Sequence, residues 1–100
     1  MKRFDVFEYK DPGGAVAVVI LQGSFYLDLP TVIVGPLFPP GNVEALPIIN
    51  PTIVLSSEEF VFKSEYSGPF PRELLTNRIG ALEEQAYTVQ TAIDRLLAGY

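Results

Sequence analysis

One short stretch of this 100-residue chain brings cations, a carboxylate and a hydroxyl together: Arg72, Glu73, Thr76 and Arg78. A base beside a charge-stabilising cation could in principle cleave RNA. The plainer reading is the stronger one: a polar loop leading into a helix, whose acidic neighbours would repel a phosphate backbone. Glu58-Glu59 and Glu83-Glu84 are pairs of adjacent carboxylates. Neighbours on a strand point to opposite faces and neighbours on a helix stand 100° apart, so neither pair makes an acid/base dyad. Both read as solvated charges. The sequence has no histidine and no cysteine. That removes Ser-His-Asp and Cys-His catalysis, zinc sites of the Cys/His type and any disulfide framework. No cofactor or metal is expected.

The net charge of −5 disfavours direct contact with nucleic acid and suits a basic patch on a protein partner. With 48% hydrophobic residues, seven phenylalanines and five tyrosines, the chain has enough apolar material for one modest core. The start, Met1-Lys2-Arg3-Phe4-Asp5, lacks the apolar run of a signal peptide. Ala15 to Phe38 is the longest apolar region, but Gln22, Asp28 and Pro30 divide it into two strands and a turn, so no membrane span is expected. A cytoplasmic protein of one domain, residues 1–100, is the expectation.

Elements that would position these residues follow from periodicity. Phe4 to Tyr9 alternates apolar and polar, as a half-buried strand does. Asp11-Pro12-Gly13-Gly14 has turn chemistry, and Ala15 to Leu21 reads as a central strand buried on both faces. Thr31 to Val34 is expected to end at Gly35-Pro36. Leu46 to Ile49 and Ile53 to Leu55 are short strand candidates near prolines that suggest sheet edges. Phe60 to Tyr66 makes a further strand, closed by Ser67-Gly68-Pro69. The sheet is thus expected over 4–66.

From Gly80 the period changes. Leu82, Ala86, Val89, Ile93, Leu96 and Leu97 recur at three and four residues, predicting an amphipathic helix over about 81–98. Glu83 and Glu84 near its start and Arg95 near its end suit the helix dipole, and Gly99 suits its stop. The opposite face carries Tyr87, Thr91, Asp94 and Ala98. It is either an ordinary solvated face or a docking surface extended by Gly99 and Tyr100, the last an aromatic with no obvious internal place to pack. The run from Val32 to Pro40 is a contact patch if exposed and ordinary core if buried.

In order and length these landmarks resemble the CcdB family of bacterial toxins. Phe4-Asp5-Val6-Phe7-Glu8-Tyr9-Lys10 is similar to the family's opening strand. Gln22, Asp28-Leu29-Pro30, Val34-Gly35-Pro36-Leu37 and Leu46-Pro47-Ile48-Ile49 follow its next landmarks. Thr91-Ala92-Ile93-Asp94 with Leu96-Leu97-Ala98-Gly99-Tyr100 is similar to its terminal helix and glycine-containing end. The resemblance implies a mainly β protein, an SH3-like barrel of antiparallel sheet with a C-terminal helix, assembled as a homodimer. It implies a non-enzymatic toxin that wedges its helix ends against the DNA gyrase A subunit, or a related topoisomerase, and is held in check by a cognate antitoxin. By position, the gyrase-binding residues would be Thr91, Asp94, Ala98, Gly99 and Tyr100.

One departure bears on activity. The family's toxic members carry tryptophan where this chain has Ala98, and asparagine where it has Asp94. On the resemblance, Tyr100 is expected to supply the aromatic and Asp94 to pair with the partner's cation. Two other readings follow: a diverged, non-toxic member that binds the antitoxin, and an endoribonuclease toxin of the related MazF type using Arg72 or Arg78.

Overall fold

The computed structural model describes residues 1–41 and 45–99. Among these described residues, seven strands precede one α-helix: β1 (Asp5–Glu8), β2 (Ala17–Ile20), β3 (Thr31–Phe38), β4 (Thr52–Leu55), β5 (Glu58–Phe62), β6 (Gly68–Pro71), β7 (Arg78–Ala81) and α1 (Ala86–Ala98). Short 3-10 turns at Ser24–Tyr26, Ser64–Tyr66, Arg72–Leu74 and Glu83–Gln85 join them. Every pairing is antiparallel, in the order β4-β5-β3-β2-β1-β7, with β6 added to β3.

Strand β3 is the pivot. Its first half, Thr31 to Val34, pairs with β6, and its end, Leu37 and Phe38, pairs with β5. The strand therefore does not stop at Gly35-Pro36, where turn chemistry alone would end it. Pro36 sits opposite Val18 of β2, and its carbonyl accepts from Lys63 N–H at 3.2 Å, where the two partner strands diverge. Gly35 is required there, because a Cβ would lie 2.3 Å from the ring of the fully buried Phe62.

The sheet is apolar on both faces, as the uninterrupted run of β2 predicts. Val6, Val19, Leu37, Ile53 and Phe62 build one core with Leu82, Val89 and Ala92 from the helix side. Phe7, Val18, Ile20, Val32 and Val34 build a second with Leu27 and Leu75. The curled sheet closes between its two ends by side chains. Leu55 of β4 lies over Gly80 of β7. The Gln85 amide makes a two-point pair with the backbone of Val54, accepting its N–H at 2.8 Å and donating to its carbonyl at 2.6 Å.

Several boundaries differ from expectation. Leu46 to Ile49 is a turn and not a strand, held by Asn50, whose Oδ1 accepts the Leu46 N–H at 2.8 Å. Ser64 to Tyr66 is a 3-10 turn. The sheet continues past residue 66, because Gly68–Pro71 and Arg78–Ala81 are strands despite their prolines and glycines. In β6, Pro69 and Pro71 alternate with Phe70, and the next inward amide, Arg72 N–H, donates to Pro30. That alternation turns the two prolines to the outer edge, the position where a missing N–H costs nothing. The helix begins at Ala86 and not near 81: Leu82 N–H still donates to Phe4 at 2.8 Å, which keeps Leu82 tied to β1.

Candidate interaction face at the helix end

Val89 and Ala92 point α1 into the core, which leaves the opposite side to solvent. Tyr87 is 84% exposed and Asp94 and Ala98 are exposed, with Thr91 half-buried between them. Their spacing of four, three and four residues puts them on one face. Gly99 caps the helix with φ 81°, its N–H donating to Arg95 at 2.8 Å, so the chain turns away just after Ala98. Tyr100, expected as part of this face, lies outside the described residues. Leu97 is a correction: the apolar period assigns it to the core, yet it is 78% exposed, because the last turn of the helix carries it toward the outer face.

A polar chain ties this face to the sheet. The Asp94 carboxylate accepts from Gln90 Nε2 at 2.8 Å, and Gln90 Oε1 accepts from the Arg3 guanidinium. Arg3 Nε also donates to the Leu21 carbonyl at 2.9 Å, and the guanidinium lies 4.6 Å over the Phe4 ring. Phe4 has φ 71°, a left-handed backbone that costs a bulky residue about 1–2 kcal/mol.

The same arginine leads to residues that sequence reasoning missed. Its backbone N–H donates to Ser24 Oγ at 3.1 Å, at the head of the turn that presents Phe25 and Tyr26. Phe25 is 95% exposed and Tyr26 64%. Two adjacent aromatics in a three-residue turn cannot both reach a core, and that signal was available in Gly23-Ser24-Phe25-Tyr26-Leu27.

The polar set near residue 75 is not brought together. Arg72 Nε donates to the Leu27 carbonyl at 2.7 Å. Arg78 pairs at 3.2 Å with the buried carboxylate of Asp5, whose other oxygen accepts Lys2 N–H at 2.9 Å. Both guanidiniums therefore serve the fold. Glu83 pairs with Lys2 at 2.5 Å, which raises the Lys2 pKa, while Glu58 and Glu59 are exposed at the head of β5. Among the described residues no cluster of acidic groups could hold a metal ion, and no helix is long and apolar enough to cross a membrane.

A second surface lies on the sheet face away from the helix. It is a groove of about 560 Å³ walled by Tyr9, Val34, Phe38, Tyr66 and Phe70. Tyr9 and Phe70 meet edge to face at 4.8 Å. Lys63 sits beside it, 5.4 Å over the Tyr66 ring and 3.7 Å from Glu65.

Comparison with known families places this architecture. Residues 3–99 match the family described as CcdB protein. The chain belongs to the CcdB family. Its curled antiparallel sheet with a C-terminal helix is the CcdB fold. CcdB proteins are a non-enzymatic toxin family of toxin–antitoxin systems, with an antitoxin and gyrase as their general partners. A search of curated proteins gives no match.

Proposed function

We propose that this chain is the toxin of a type II toxin–antitoxin pair that binds DNA gyrase, or a related type II topoisomerase, and poisons it without catalysis. The observation that carries the reading is the exposed end of α1. Thr91, Asp94 and Ala98 share one face, Gly99 ends the helix beside them, and Phe25 and Tyr26 project from the turn joined to that face through Arg3. Tyr100 is the next residue and extends the contact. Exposed aromatics around a polar centre are the composition of an interface anchor. The contact is with the A subunit of the target, made by a homodimer in the cytoplasm, with no direct contact to nucleic acid from a chain of net charge −5. A ribonuclease mechanism has less support, since Arg72 and Arg78 are engaged with Leu27 and Asp5.

The cognate antitoxin would lay a disordered tail along the β-surface and order on binding. The aromatic groove on the sheet face supports this, being largely apolar and lined from β6 to the turn at Asp11. A second reading, a non-toxic member that only binds antitoxin, is favoured by one residue: Ala98 lacks the aromatic of the family's toxic members.

Induction of the gene in a gyrase-sensitive bacterial host tests both. Growth arrest with accumulated cleaved DNA–gyrase complexes, relieved by removing Gly99 and Tyr100, is the expected result. Normal growth without such complexes would overturn gyrase poisoning in favour of the antitoxin-binding reading.

A further inference from the structure

The polar chain reaching Asp94 has a fixed direction. A guanidinium can only donate and a carboxylate can only accept. Gln90, lying between them, satisfies both in one amide orientation: Oε1 toward Arg3 and Nε2 toward Asp94. A glutamine paired with an aspartate four residues on is an ordinary and weakly held feature of helix surfaces. This one is anchored on its far side. Arg3 is held by the Leu21 carbonyl and the Phe4 ring, and its own N–H is held by Ser24. The left-handed turn at Phe4 lets the guanidinium lie back over the ring of the next residue while still reaching the helix.

We infer that Gln90, fixed by Arg3, is a positioning residue that presets Asp94 to accept an arginine or lysine of the protein docked on this face. The inference rests on the docking reading above and names the chemistry of its centre. Asp94 Oδ1 is engaged by Gln90, and Oδ2 makes no hydrogen bond or ion pair with another described residue. Asp94 is exposed, so a partner can reach this side chain while Gln90 holds its other oxygen. An acceptor ordered beforehand loses less freedom when the partner arrives, which favours a fixed, directional cation contact over a loose one. Gln90 does not touch the partner in this arrangement; it acts through Asp94.

Calorimetric binding of the purified gyrase A subunit to the whole chain, to Asp94→Ala, to Gln90→Met and to the double variant tests this. Each single change should weaken binding by about 3- to 10-fold. The double variant should lose no more than Asp94→Ala alone, because the glutamine then has nothing left to position. Added salt should narrow the gap between the natural chain and Asp94→Ala. Losses that add in full in the double variant would overturn the positioning role while leaving the docking reading intact. No binding by the natural chain would overturn the docking reading and, with it, the cation assigned to Asp94. A partner-free measurement separates the two: by NMR, the Gln90 side-chain amide protons should shift and exchange faster in both Arg3→Met and Asp94→Ala. Unchanged amide protons in both would overturn the relay whatever gyrase does.

Discussion

Ala98 is the position where a single side chain has most to add. It is exposed on the last turn of α1, with the capped Gly99 behind it and Leu97 beside it. A methyl group offers a partner little area and no ring. An indole there would gain buried surface and about 1–2 kcal/mol of attraction to a desolvated cation. Ala98→Trp should therefore strengthen gyrase inhibition by about 5- to 30-fold, read as the toxin concentration that traps cleaved complexes. An unchanged concentration would remove Ala98 from the contact. Phe25 makes the converse case. Being 95% exposed, it contributes almost nothing to the core, so Phe25→Ser should shift stability by no more than about 0.5 kcal/mol. If the aromatic turn belongs to the docking face, the same change should weaken target binding about tenfold or more. Thermal unfolding and binding measured on one sample would separate the two effects.

Among the elements, α1 and the β1–β2 hairpin were legible from sequence because each rests on a long, consistent signal. For the helix this was a stripe at three and four residues; for the hairpin, a Pro-Gly-Gly turn and an apolar run. The alternation of β1 misled as to burial, since Asp5, Val6 and Phe7 are all buried and the strand is covered on both faces. Strands β6 and β7 were not legible. Each is four residues long and built around residues that ordinarily interrupt sheets: Pro69 and Pro71 in one, Gly80 in the other. They pair because β3 and β1 offer free edges, a tertiary opportunity invisible in a local window. The candidate face divides the same way. Thr91, Asp94 and Ala98 follow from helical spacing, whereas Arg3 reaches Gln90 across 87 residues of sequence. The seam between β4 and β7 is another contact of that kind. Gln85 replaces a missing strand neighbour with one side-chain amide. Gln85→Leu should cost about 1–2 kcal/mol, the net value of two hydrogen bonds whose backbone partners return to water. For a domain of this size that is roughly 4–16 °C in thermal midpoint. No change would mean that Leu55 over Gly80 closes the seam unaided.

For the whole molecule, the main consequence is a sheet with two occupied faces and an exterior on each. The helix end belongs to the core of Val6, Val19 and Phe62; the aromatic groove continues the core of Val18, Ile20 and Val34. The two adjoin at the turn Ser64–Tyr66, which packs against α1 and gives Tyr66 to the groove. If the tail of an antitoxin occupies the groove and relieves inhibition, part of the same chain must reach round to the helix end, or the sheet between must transmit the effect. A peptide limited to the groove decides between them: binding without protection of gyrase selects the reach to the helix end, and protection selects transmission through the sheet.

The two prolines of β6 set how such a peptide can be recognised. The strand borders the groove, but its outward main chain carries carbonyls and no hydrogens at Pro69 and Pro71. An incoming segment finds no alternating donor–acceptor track to zip along, so it cannot join as one more rung of the ladder. Recognition is left to rings and side chains, whose fit depends on the guest's own sequence. A generic backbone would be turned away where a matched one is admitted, which makes the groove a lock cut for one kind of key.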